Sequence, residues 1–237
     1  MGVSNKPEQR LLLSYCSFTC IYLPGILTWT LVKFNDNLSA NVGTYKFLPV
    51  LMILTFAEVI KLLFPMLQAE APTIIKIEQR APPKASKRSW AKSLREVFKF
   101  TLTALALSTA YYVTIVLFGA PVLTDHEETT MLVVTLITLT FVSTSLHLGV
   151  DSALDVLTGT YSPQRGNILA DALKLNIQAT ILGTWLGATV IPLDWDRPWQ
   201  AWPIPCVIGA LLGYLIAHFV TLIKTLPAPK LHRKVHR

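Results

Sequence analysis

Residues 182–214 read LGTWLGATVIPLDWDRPWQAWPIPCVIGALLGY. Two apolar arms flank a stiff centre, IPLDWDRPWQAWP, at residues 191–203. That centre holds three tryptophans, three prolines, two aspartates and an arginine. Proline fixes φ and stops the helix on either side. Each arm carries one GxxxG, Gly183–Gly187 before the centre and Gly209–Gly213 after it. This spacing lets two membrane helices approach closely. The stretch predicts an antiparallel hairpin of tightly packed helices closed by a rigid loop. The loop itself is either a membrane-surface anchor or a site.

The rest of the chain says which solvent surrounds that hairpin. Of 237 residues, 52% are apolar and only 15% are charged, and the mean hydropathy is +0.48. A soluble domain carries about 25% charged residues. A helix crosses a bilayer core with about 20 apolar residues. Six runs meet that length, at about 11–32, 47–67, 98–118, 130–150, 168–191 and 203–225. Backbone polar groups cannot stay unpaired in lipid, so all six are expected to be helices. The predicted fold is an all-α polytopic membrane protein, a single transmembrane domain over 1–237 with six helices in one bundle. Pro24-Gly25 predicts a kink in the first span. That span is long enough to remain as a signal anchor, and no cleavable signal peptide is expected. Lys6 stands where N-myristoylation requires Ser or Thr. Cys16, Cys20 and Cys206 all fall in apolar runs without metal-ligand spacing, so they are expected to be small buried hydrophobes.

Lysine and arginine counts orient the bundle. The N-terminal tail, the 68–97 segment, the loop after the fourth run and the C-terminal tail together carry fourteen. The opposite side carries Lys33, Lys46 and Arg197. Both termini are therefore expected in the cytosol, with IPLDWDRPWQAWP on the lumenal or exterior face. The sequon Asn37-Leu38-Ser39 lies on that same face. Residues 69–97, with Pro72, Pro82 and Pro83 among basic residues, read as a basic cytosolic linker. Its end, SWAKSLREVF, places Trp90, Leu94 and Val97 at helical spacing, as in an interfacial helix running into the third span.

Charges inside the spans need partners. Glu58 and Lys61 share a helix face at i, i+3 and are expected to hold helices together. An ion pathway is the sharper alternative. Asp171, Lys174, Asn176 and Gln178 make the first half of the fifth span polar, with Asp171 and Lys174 again on one face. Lys174 can snorkel from there to the interface, and the polar lining can face a lipid headgroup or a partner. His147 and Asp151, at i, i+4, form one metal-ligand pair without a second, and read as interface residues.

In the loop, Trp195, Trp199 and Trp202 suit the headgroup layer. Pro192, Pro198, Pro203 and Pro205 stiffen it. Asp194, Asp196 and Arg197 can pair with one another, and Gln200 completes the polar set. Two carboxylates and an arginine also suit a phosphoryl-transfer site, but the loop holds no His, Ser or third carboxylate. No catalytic, cofactor-binding or metal-binding residues are assigned.

The IPLDWDRPWQ core with its flanks, residues 182–214, resembles the hallmark region of the PIG-F family of glycosylphosphatidylinositol (GPI) anchor biosynthesis. Phe118-Gly119-Ala120-Pro121 resembles that family too. The resemblance implies a resident of the endoplasmic reticulum membrane and a non-catalytic stabilising subunit of GPI ethanolamine phosphate transferases. It implies catalytic partners of the PIG-O type, acting on the third mannose, and the PIG-G type, acting on the second. The metal-dependent chemistry, with phosphatidylethanolamine as donor, would lie in those partners, so no cofactor is expected here. The C-terminal RKVHR lacks a retrieval lysine at the third position from the end, so residence rests on the resemblance. Two rival readings remain. One is a membrane phosphotransferase using Asp194, Asp196 and Arg197. The other is a lipid transporter, suggested by the intramembrane charges.

Overall fold

The computed structural model describes residues 6–33, 41–65, 87–121, 124–161, 167–193, 195 and 197–226. The sequon at Asn37, residues 66–86 of the basic segment, Arg165, Asp194, Asp196 and the C-terminal tail lie outside the described residues. Among the described residues there are helices and turns but no strands. In chain order the helices are α1 (Lys6–Lys33), α2 (Leu48–Lys61), α3 (Lys87–Leu117), α4 (His126–Ile137), α5 (Ser143–Leu148), α6 (Val150–Thr158), α7 (Ile168–Ala188) and α8 (Ile204–Thr225). A π-helical turn, Thr138–Val142, joins α4 to α5. Gly149, at φ +83°, takes a backbone conformation that side chains disfavour and separates α5 from α6.

Five helical segments are long and apolar enough to cross a membrane: Glu8–Trp29, Tyr45–Pro65, Ser93–Leu117, His126–Leu148 and Ile204–Thr225. The expected count of six is not confirmed by length and apolarity among the described residues. Helix α7 has the length, at 21 residues. It falls short in apolarity because Asp171, Lys174, Asn176 and Gln178 crowd its first half.

The α4–α5 span is the most buried of the five and forms the centre of the bundle. Leu23 of α1, Val50, Leu51 and Leu54 of α2, and Leu211 and Tyr214 of α8 pack around its Met131, Leu132, Leu136 and Leu139. On α1 the buried positions Leu12, Tyr15, Cys16, Thr19 and Leu23 recur every three or four residues, as a helix with one packed stripe requires. Cys206 is buried as expected, whereas Cys20 is only partly so. Lipid tails are as apolar as leucine, so such a core is held by close packing and interhelical hydrogen bonds more than by escape from water. Helix α3 sits at the edge. No residue of its apolar window is buried, and it is tied inward by Tyr111 to Thr140 (3.2 Å), by stacking of Phe100 on Phe141, and by the Lys99–Asp151 ion pair.

Helices α7 and α8 form the most extensive helix pair, and α1 leans against α8. The four glycines of the two GxxxG motifs meet in this seam. A Cβ added at Gly183 would overlap the Gly209 carbonyl oxygen and lie 3.0 Å from its carbonyl carbon. One added at Gly187 would overlap the Pro205 carbonyl and lie 3.0 Å from Cys206 Cα, and one at Gly213 would overlap the Ala179 carbonyl. Only glycine permits backbones to approach this closely.

Candidate functional site

Two polar constructions stand out: the loop between α7 and α8, and a cluster buried in the bundle.

The loop is built around Gln200, which is only 8% exposed. Its Nε2 donates to the Val190 carbonyl (3.0 Å) and the Leu193 carbonyl (2.7 Å). Its Oε1 accepts from the Arg197 backbone N–H (3.1 Å). One amide thus gives the Arg197 N–H its acceptor and adds a second donor to two carbonyls that the Leu193 and Trp195 N–H groups already meet. A short 3₁₀ turn, Pro198–Gln200, places it there. Trp202 points inward, and its Nε1 donates to Oγ1 of the fully buried Thr129 (3.2 Å). Trp195 and Trp199 are exposed and meet edge to face, with centroids 6.0 Å apart. The Arg197 side chain, Pro192 and Pro198 are exposed as well. The three tryptophans therefore divide, two outward at the bundle end and one as a clasp to α4. Pro203 packs against Gly43, whose φ of +94° and close approach to that ring both exclude a side chain.

The buried cluster centres on Glu58, 3% exposed, with Lys61 at 2%. Lys61 Nζ lies 2.6 Å from Glu58 Oε1. Tyr214 of α8 and Tyr22 of α1 donate their hydroxyls to the same oxygen, at 2.5 and 3.2 Å. Ser143 of α5 donates to Oε2 at 3.1 Å, and His147 Nε2 lies 3.5 Å from it. One carboxylate therefore joins α1, α2, α5 and α8. His218, one turn past Tyr214, donates its Nδ1–H to the Tyr214 carbonyl (2.9 Å). Ser143 follows directly on the π turn and His147 one helical turn later, and π turns are common where helices build special sites. A carboxylate with a cation and several donors is what a buried charge needs to be tolerated.

Beside the cluster is a chamber of about 20 Å³, the scale of a single water. Glu58, Lys61, Ser143, His147, His218 and Asn176 line part of it. Asn176 is 2% exposed, and neither side-chain polar atom has a partner among the described residues. Leu12, Ala172 and Thr221 line both the chamber and a groove of about 300 Å³ bordered by Gln9, Asp171 and Lys224. Lys174 is half-buried and Gln178 is exposed.

The structure thus brings together Glu58 with Lys61, and Gly183 and Gly187 with Gly209 and Gly213. It separates His147 from Asp151, which pairs instead with Lys99. Sequence reasoning missed Tyr22, Ser143, Tyr214 and His218. Their only signal was that each is a polar residue within an apolar helix.

These features define a helical membrane bundle with a braced hairpin and a buried ionic node. The chain belongs to the GPI biosynthesis protein family Pig-F, whose members it matches over residues 22–222. The resemblance carried by IPLDWDRPWQ is thereby established. A Homo sapiens protein described as "GPI ethanolamine phosphate transferase, stabilizing subunit" is 36% identical over 137 residues, covering 56% of this chain and 61% of that protein. A Schizosaccharomyces pombe PIGF/3-ketodihydrosphingosine reductase fusion protein is 36% identical over 148 residues, covering 62% of this chain and 27% of the fusion. Glycosylphosphatidylinositol anchor biosynthesis protein 11 of Aspergillus fumigatus is 35% identical over 130 residues, covering 55% of this chain and 42% of that protein. The chain spans 61% of the human relative's length and less of the other two. No solved structure matches it.

Proposed function

We propose that this chain is a non-catalytic stabilising subunit of a GPI ethanolamine phosphate transferase in the endoplasmic reticulum membrane. It binds the membrane part of the catalytic chain, of the PIG-O or PIG-G type. Both termini face the cytosol and the 191–203 loop faces the lumen, the orientation that the lysine and arginine distribution favours. The transfer chemistry, with its metal, belongs to the partner.

One observation carries this reading. The strongest polar constructions of the chain hold its own backbone and helices: Gln200 is bonded to loop backbone, and Glu58 is enclosed by Lys61, Tyr22, Tyr214 and Ser143. The name of the human relative supports it.

The test is to remove the chain from cells and follow the catalytic chain. Its abundance is expected to fall and to return when this chain is restored. Phosphoethanolamine transfer is then assayed with each chain purified alone. Transfer by this chain without its partner would overturn the reading in favour of an enzyme.

A further inference from the structure

We infer that the outward face of α7, centred on Gln178, is the surface on which a transmembrane helix of the catalytic partner docks. This rests on the stabilising-subunit reading and adds where the contact is made.

The argument begins with depth. Gly213 of α8 packs against Ala179 and Thr180 of α7, so the neighbouring Gln178 is level with Tyr214. Tyr214 is near the midpoint of α8, which spans Ile204–Thr225. At 1.5 Å per residue, Gln178 lies about 15 Å from either end of that span. A bilayer core is about 30 Å thick. The amide is thus at mid-depth.

Gln178 is exposed, and its amide has no hydrogen-bond partner among the described residues. The exposed threonines of α3 differ. Thr101, Thr109 and Thr114 donate to the Val97, Leu105 and Ala110 carbonyls of their own helix, so they can face lipid without loss. A glutamine amide facing hydrocarbon has no such outlet and calls for a donor or acceptor from another chain. Ile181, Leu182 and Trp185 continue the exposed ridge one and two turns further along. Asp171, two turns before Gln178 on the same face, is exposed too.

This pattern specifies the occupant. It is a transmembrane helix with a Ser, Thr, Asn or Gln at mid-depth opposite Gln178 and a basic residue at the end that meets Asp171. A second copy of this chain fits less well. A two-fold contact through Gln178 would set Asp171 against Asp171, like charge against like charge.

The experiment places a photoreactive p-benzoylphenylalanine at Leu182 in the full chain, co-expressed with the catalytic chain, with Leu105 on α3 as the control position. The expected result is a crosslink to the catalytic chain from Leu182 and none from Leu105. In parallel, Gln178→Leu is expected to lower co-purified catalytic chain about three- to tenfold, the range of interhelical polar contacts. The melting midpoint of the chain alone should not fall, and Gln178→Asn should retain partial binding. Crosslinks from Leu182 only to lipid or to a second copy, or undiminished binding by Gln178→Leu, would overturn the inference. If the wild-type chain captures no catalytic chain at all, the stabilising-subunit reading fails first and this inference with it.

Discussion

The Tyr214 hydroxyl reaches Glu58 Oε1 at 2.5 Å, joining residues 156 positions apart in the chain. Around that bond, Lys61, Tyr22, Ser143 and His147 complete the shell of one buried carboxylate. Removing a single member leaves charge or polarity uncompensated in the bundle. Tyr214→Phe is expected to destabilise the chain by about 1–3 kcal/mol. Lys61→Met, which strips the carboxylate of its cation, is expected to lose about 3–5 kcal/mol. The double variant Glu58→Leu with Lys61→Met should lose less than Lys61→Met alone, because no unpaired charge remains. Melting midpoints in detergent, with Glu58→Leu alone completing a double-mutant cycle, measure this.

The glycine seam gives a second prediction. A methyl group at Gly183 overlaps the Gly209 carbonyl oxygen, and α7 and α8 have to separate to admit it. Gly183→Ala is expected to destabilise the chain by about 1–3 kcal/mol, the usual scale of overpacking. Gly25→Ala serves as the control. No atom lies within 4 Å of a Cβ built there, and the change should be neutral or gain up to about 1 kcal/mol of helix propensity. Thermal unfolding of the two variants side by side decides it.

Gln200 organises the 191–203 loop through three bonds to backbone. Gln200→Ala leaves the Arg197 N–H without its acceptor and removes one of two donors from each of the Val190 and Leu193 carbonyls, and is expected to lose about 1–3 kcal/mol of local stability. Backbone amides of 190–202 should then exchange hydrogen faster, while those of α4 stay protected. Trp202→Phe removes one bond, to Thr129, and should have a smaller effect of about 0.5–1.5 kcal/mol. Hydrogen-exchange mass spectrometry reads both.

Arg197 offers the complementary case. Its backbone N–H braces the loop, but its side chain is exposed. Arg197→Ala should leave the melting midpoint within about 0.5 kcal/mol equivalent of the parent, as surface changes do. Under the proposed function it should lower the abundance of co-purified catalytic chain. Quantifying that chain by immunoblot after affinity capture tests the separation of folding from binding.

Much of this was legible in sequence because it is local. Run length alone located the five apolar spans, and the GxxxG spacing on both sides of IPLDWDRPWQAWP foretold the close α7–α8 seam. The i, i+3 spacing of Glu58 and Lys61 set them on one face. The sixth span was harder. Its length was readable, but four polar residues in its first half take it below the apolarity of the others.

The sequence by itself thus determined a helical membrane protein, its hairpin, its glycine contact and the identity of its buried ion pair. The tertiary structure decided what surrounds that pair: Tyr22, Ser143, His147 and Tyr214, drawn from three other helices. It also decided that Gln200, through its amide, braces the loop. The reason is geometric. A lone tyrosine or serine in an apolar run looks the same whether it faces lipid or a neighbour. Only the rotation and register of each helix, set when all of them pack together, determines which it meets.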